Sequence, residues 1–194
     1  MTDERAPAHE HNDATIIRGS GLTEQAEAHG RYEFACYDKD GKLKWKDTIE
    51  NVVATVGKNL ALDTFLAGSS YTVTGPYMGL ISSTSYTAVA AGDTMSSHSG
   101  WLEAGGANSP TFTGNRKTCA WSVASAGSKA LSAALSYAIT GTGTCKGAFI
   151  VFGSGAVNTK DDTGGILWSA GTFSTGDKAV LNGDTLNVNY SSSL

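Results

Sequence analysis

The stretch from Leu131 to Ile139 most limits the folds open to this chain. Leu131, Ala133, Leu135, Tyr137 and Ile139 occupy every second position, with small or polar residues between them. A period of two puts all of these side chains on one face of an extended strand and would scatter them around a helix. Further short apolar stretches at 77–82, 101–104, 117–123, 147–152, 166–173 and 185–190 are separated by Gly, Ser, Asn and Asp, the residues that supply tight turns. The 131–140 strand is expected to turn at Gly141-Thr-Gly143 and to pair, as a hairpin, with the strand ending in Ala148-Phe-Ile-Val-Phe152. Several strands at short intervals, with turn chemistry between them, predict a mainly β fold of the β-sandwich or jelly-roll kind.

Residues 31–47 read as a second hairpin. Tyr32, Phe34 and Cys36 alternate onto one face, Asp38-Lys-Asp-Gly41 turns the chain, and Leu43 and Trp45 follow. The Asp38-x-Asp40 pair does not make a calcium loop, because Leu43 stands where that loop needs glycine and Ile49 where it needs glutamate. Asp47 then reads as a helix N-cap with Glu50 three residues on. Ile49, Val53, Val56 and Leu60, with Val52 and Leu66, recur at helical spacing as far as Gly68. The spacing predicts one amphipathic helix over about 48–67, lying against the sheet. Gly57 inside it costs up to ~1 kcal/mol relative to alanine, which points to a close approach by another backbone.

Charge divides the chain into two parts. Residues 1–30 carry six acids (Asp3, Glu4, Glu10, Asp13, Glu24, Glu27) and two bases (Arg5, Arg18), a net of −4, so the remaining 12 acids and 12 bases balance. The first part also holds Pro7, scattered His and Gly, and a single hydrophobic pair, Ile16 and Ile17. Such a segment cannot bury enough apolar surface to form a core of its own. It is expected to be an extended acidic arm at 1–30, ahead of a β-sandwich domain at 31–194. Ile16, Ile17 and Arg18 are its candidate partner contacts. Charged residues make up only 16% of the chain, which suits surfaces that meet other protein without much charge to desolvate. No basic footprint for nucleic acid is present; Lys39, Lys42, Lys44 and Lys46 are interrupted by Asp38, Asp40 and Asp47 and read as a solvated strand face. No apolar run approaches the ~20 residues of a membrane helix, and the acidic start is unlike a signal peptide.

The sequence offers little chemistry. Cys36, Cys119 and Cys145 form no Cys-x-x-Cys pair and have no histidine at ligand spacing, so no metal site is expected. Buried free thiols are the expected state in a reducing cytosol, with a Cys119–Cys145 bridge between neighbouring strands as the alternative. His9, His11 and His29 lie in the arm, leaving His98 alone in the domain. Gly141-Thr-Gly-Thr-Cys-Lys-Gly147 lacks the Gly-Lys-Ser/Thr ending of a phosphate-binding loop, and Asp161-Asp162 precedes Thr-Gly-Gly as a surface turn. Trp45, Trp121 and Trp168 sit in expected strands as core or interface anchors. The expectation is a protein that is not an enzyme and takes no cofactor.

Three segments carry a resemblance: Asp93-Thr-Met-Ser-Ser-His-Ser-Gly-Trp101, Asn51-Val-Val-Ala-Thr-Val-Gly-Lys-Asn-Leu-Ala-Leu-Asp63, and Gly165-Ile-Leu-Trp-Ser-Ala-Gly-Thr-Phe173 with Leu181-Asn-Gly-Asp-Thr-Leu-Asn-Val188. Over residues 31–190 the chain resembles small virion structural proteins of tailed bacteriophages. The resemblance implies a place in the particle, reached from the host cytoplasm. It is read as a capsid decoration or cement protein: a homo-oligomer, expected to be a trimer, whose arm bridges subunits of the major capsid protein. A tail component such as an adaptor or fibre-attachment protein is the alternative. A carbohydrate-binding module presenting Trp101 or Trp121 is the third reading, and Trp101 is set beside the arm residues as a candidate partner contact.

Overall fold

In the computed structural model, residues 28–66 and 74–193 are described. The chain runs through β1 (His29–Tyr37), β2 (Leu43–Glu50), β3 (Val52–Val53), α1 (Thr55–Leu66), β4 (Tyr77–Ser82), β5 (Leu102–Glu103) and β6 (Thr111–Phe112). It continues through β7 (Lys117–Thr118), β8 (Ser128–Ala130), β9 (Leu135–Gly141), β10 (Gly143–Phe152), β11 (Ile166–Thr172), β12 (Lys178–Val180) and β13 (Thr185–Ser193). The fold is mainly β with one short helix, arranged as two antiparallel sheets. One sheet has the order β2-β1-β13-β9-β6 with β8 beside β13; the other has the order β3-β11-β10-β4-β5 with β12 beside β10 and β7 beside β4.

The two sheets pack face to face because alternation gives each an apolar inner face. Tyr32, Phe34, Cys36, Tyr137, Ile139, Leu186, Val188 and Tyr190 from the first sheet meet Met78, Leu80, Cys145, Ala148, Ile150 and Val180 from the second in one core. Polar tips bind across it. The Tyr137 hydroxyl donates to the Met78 carbonyl at 2.9 Å, and the Tyr32 hydroxyl lies 2.6 Å from Ser169 Oγ. The indole of Trp168 donates to the Tyr190 hydroxyl at 3.0 Å. Each of these satisfies a polar atom that burial would otherwise penalise.

β10 is buried on both faces, so its sequence is apolar without alternation at Ala148–Val151. Phe149 and Val151 point away from the first sheet into a second core, with Ile81, Met95, Trp101, Ala156, Leu167 and Ala170. The long connection after β4 folds over this outer face as a third layer. Asp93 organises it: one carboxylate oxygen accepts the Ala90 amide and the Trp101 indole, both at 2.9 Å.

The β1–β2 hairpin forms as expected, with Tyr32, Phe34 and Cys36 all buried and Gly41 at φ +80° closing the turn. Two expectations are corrected. The strand expected over 131–140 covers only Leu135–Gly141 and makes no hairpin with the strand after Gly141-Thr-Gly143: β9 pairs with β13 and β6 in the first sheet, while β10 pairs with β4, β11 and β12 in the second. The two glycines mark a corner where the chain changes sheets, and Tyr137 and Cys145 face each other through the core instead of lying side by side. The helix also begins later than 48. Residues 48–50 continue β2, registered as Glu33↔Thr48, Tyr32↔Ile49 and Arg31↔Glu50, and Val52–Val53 pairs with β11. Asp47 is no cap; its carboxylate forms an ion pair with Lys178 at 2.6 Å. Strand pairing on an existing edge overrode the helical spacing, which is short enough to satisfy both periods. The start of α1 packs on the sheet, where Gly57 lies against the Leu167 and Trp168 carbonyls and a Cβ would sit 3.2 and 3.1 Å from them. Leu62 and Leu66 are exposed, so α1 does not present a continuous buried stripe.

Cys36, Cys119 and Cys145 are free and buried, so the Cys119–Cys145 bridge is absent from the fold. Burial pushes each thiol up to about 12. Thiolate is the reactive form. The native protein is therefore expected to react negligibly with a thiol-specific disulfide reagent at pH 8, and to yield all three thiols once denatured. Rapid labelling without denaturant would show that one of these sites opens locally.

Candidate functional site

Two of the cavities among the described residues bring together side chains from several elements. The first lies beside the third layer. Met95, His98, Trp101, Glu103, Asn108, Asp161 and Asp162 line a small cavity of about 170 Å³. At its base Glu103 and Arg116 are both buried and meet in a bidentate pair, Nε–Oε1 at 2.9 Å and Nη2–Oε2 at 2.7 Å. Burial raises the Glu103 carboxyl, an effect opposed by Arg116 and by the Asp161 amide, which donates to Oε2 at 2.8 Å. Arg116 also donates to the carbonyls of Val157 and Asp162, at 3.2 and 2.6 Å.

This is a tie between segments. Asp161 Oδ2 takes the Ala107 amide at 3.0 Å, which joins its loop to the connection after β5, and Asp162 Oδ1 takes the Gly164 amide at 2.7 Å within its own loop. His98 stacks on Trp101 with ring centroids 3.9 Å apart, and its Nδ1 lies 3.1 Å from the Trp101 carbonyl. Among the described residues no group of His, Cys, Asp or Glu is placed to hold a metal ion.

The second place is an apolar cleft of about 560 Å³ at one end of the sandwich. Ile150 and Phe152 at the end of β10, Trp168 of β11, Trp121 and Pro76 form its apolar wall, with Ser128, Lys129 and Ser192 on the side of the first sheet. A bulge creates part of it. The β10–β11 register shifts between Ile150 and Val151, so Val151 opposes Leu167, Ile150 opposes Ser169, and Trp168 is the extra residue. The bulge turns the Trp168 indole toward Tyr190 and Phe152, whose ring is 5.8 Å away. Trp121 meets Tyr190 edge-on at 6.0 Å. The neighbouring loop carries Val123, which is 91% exposed. A cleft whose lining is largely aromatic and aliphatic, with few polar groups, suits an apolar segment or ligand and offers little to orient a reacting group.

The cleft adjoins the start of the described chain. His29 pairs with Ser193 and Gly30 with Ser192, while Ser192 pairs on its other side with Lys129 of the cleft lining. Ser192 Oγ donates to the His29 carbonyl at 2.8 Å. Gly30 is required here: a Cβ would stand 2.1 Å from Asn51 Oδ1 and 2.3 Å from the Tyr190 hydroxyl. The strand thus begins two residues ahead of position 31.

The candidate residues fall out unevenly. Trp101 has no exposed surface and is bound to Asp93, so it is a core residue and presents nothing to a partner or a sugar. Trp121 is half-buried and lines the cleft. Ile16, Ile17 and Arg18 lie outside the described residues. Trp168 was legible as an anchor but not as a cleft wall, because the bulge that turns it leaves no trace in composition. Arg116 and Glu103 carry no signal in the sequence, being two charges 13 positions apart with no motif between them. No family model matches the chain, and no curated protein or solved structure matches it either.

Proposed function

We propose that this chain is a non-enzymatic structural subunit of a tailed-phage particle, and specifically a capsid decoration protein that self-associates and binds the lattice of the major capsid protein. The observation that carries the binding role is the apolar cleft beside the start of β1, at the junction between the charge-balanced domain and the acidic first 30 residues. Exposed apolar groups of this kind mark surfaces that meet other protein. Leu62 and Leu66 on α1 add a second such surface. The assignment to a particle rests on the three sequence segments that resemble phage virion proteins. Cementing then follows from mass action, since many modest contacts repeated over a lattice add stability without any one being strong.

Particles with and without the protein distinguish the roles. A cement protein present in tens to hundreds of copies delays rupture on heating or at low salt, and loss of residues 1–30 weakens its attachment. Equal rupture temperatures would remove the cement role, and a copy number of a few per particle would move the protein to the tail. Carbohydrate binding is favoured by one observation, the half-buried Trp121 that lines the cleft together with Trp168. Glycan binding lost in Trp121→Ala would establish it in place of the cement role.

A further inference from the structure

β2 ends the first sheet with eight residues. The other strands that have a partner on one side only, β3, β5, β6, β7, β8 and β12, have two or three each. A long edge offers unpaired amides and carbonyls to another strand, and most proteins keep such edges short. The direction of these groups follows from the register. The Asn51 amide donates to the Gly30 carbonyl at 2.9 Å, and the pairing is unbroken from Arg31↔Glu50 to Cys36↔Trp45. Main-chain groups alternate along a strand, so Trp45, Asp47, Ile49 and Asn51 face β1, while Lys46, Thr48 and Glu50 face away from it. The side chains of these last three are exposed as well. The edge is held firmly from behind: Ile49 is buried, the Trp45 indole donates to the Ala179 carbonyl at 3.1 Å, and Asp47 pairs with Lys178 at 2.6 Å.

We propose that this edge pairs antiparallel with β2 of a second copy, about a two-fold axis through Thr48, so that the first sheet runs on through a dimer. The residue types select that register. Centring on Thr48 sets Lys46 opposite the partner's Glu50, sets Glu50 opposite the partner's Lys46, and matches threonine with threonine. Centring on Lys46 or on Glu50 sets like charges opposite each other, and the intermediate registers set one of the two against threonine. Three pairs exchanging two bonds each give roughly six main-chain hydrogen bonds. The Thr48 amide, met at 2.7 Å by the Asp47 carboxylate, exchanges that contact for a carbonyl of the partner. An isologous contact of this kind closes at two copies, in place of the trimer that the resemblance implies. The inference deepens the self-association proposed above by giving it a surface, and rests on no place in a particle.

Sedimentation of the full chain is expected to show a reversible dimer at about 100 μM, a concentration suited to a small interface. Lys46→Glu and Glu50→Lys, each alone, set like charges opposite each other twice across the axis and should weaken dimerisation about tenfold or more. Both positions are exposed, so the midpoint of urea unfolding should stay near that of wild type. Mixed in equal amounts, the two variants regain opposite charges at both pairs and should dimerise with each other about as tightly as wild type does with itself. A wild-type chain that stays monomeric at this concentration overturns the proposal, as does a trimer or a dimer that neither substitution weakens. A mixture that stays monomeric overturns it too. The measurements are made on the free protein, so their failure leaves the cement role to be judged by the rupture experiment.

Discussion

Arg116→Met is expected to destabilise the domain by about 3–5 kcal/mol at neutral pH, read as a shift in the midpoint of urea unfolding. The guanidinium and the Glu103 carboxylate are both withdrawn from water, and their energy of association stands against that desolvation. Methionine fills much of the volume but leaves a carboxylate in the core with only the Asp161 amide as a donor. It also removes the donors that hold the Val157 and Asp162 carbonyls. The pH dependence gives the cause away. Burial already raises the Glu103 carboxyl, and arginine is the chief force opposing that rise. Without it the folded-state value climbs further above the unfolded value of ~4.3. An acid whose folded value is raised penalises the folded state at high pH and not when both states are protonated. The variant should therefore regain stability relative to wild type as pH falls through the folded-state value, with the recovery complete below about pH 4. The double variant Arg116→Met, Glu103→Leu should recover most of the loss at neutral pH, since removing both charges removes the unpaired one. A single variant whose deficit is the same at pH 4 and pH 7 would mean that lost packing, and not the stranded carboxylate, sets the cost.

What could be read from the sequence was whatever a strand declares through its own neighbours. Tyr32-x-Phe34-x-Cys36 and the Asp38–Gly41 turn specify the β1–β2 hairpin locally, and the structure forms it. Leu135, Tyr137 and Ile139 specify one buried face equally well. They cannot specify which strand lies alongside, because alternation fixes a face and leaves the neighbour open. The expected β9–β10 hairpin failed for that reason: Gly141 and Gly143 permit a tight reversal and a change of sheet alike. The same limit explains the helix start. Ile49 and Val53 are four apart, as a helix requires, and are also buried positions on two successive strands. The partners β1 and β11 decided between them. Short strands such as β3, β6, β8 and β12 exist only through those partners and carry too few residues to show a period. The cleft was illegible for a further reason, since it is made by a bulge at Trp168 and by where β13 ends.

Trp101→Ala is expected to cost about 3–5 kcal/mol, the range for emptying a buried aromatic site. Trp101 has no exposed surface, stacks on His98, and lies 5.1 Å from the Phe149 ring. Its loss opens a void between β10 and the third layer and also takes a hydrogen bond from Asp93, whose carboxylate holds the Ala90 turn. Trp101→Phe separates the two contributions: it keeps most of the packing and loses the indole donor, at about 1.5–3 kcal/mol for a bond to a charged group. The pair bears directly on function. If Trp101 met a glycan or a neighbouring subunit, alanine would weaken binding while leaving the unfolding midpoint near that of wild type. Residence in the core demands the reverse, a large loss of stability, with binding by the surviving folded fraction unchanged. Trp121→Ala, at the cleft, should show the opposite pattern, with the smaller stability loss expected of a half-buried ring and the larger effect on whatever occupies the cleft. The two tryptophans are 20 positions apart and alike in composition around them. What separates the two here is that Trp101 is enclosed in the core between β10 and the third layer, whereas Trp121 is half-buried at the cleft.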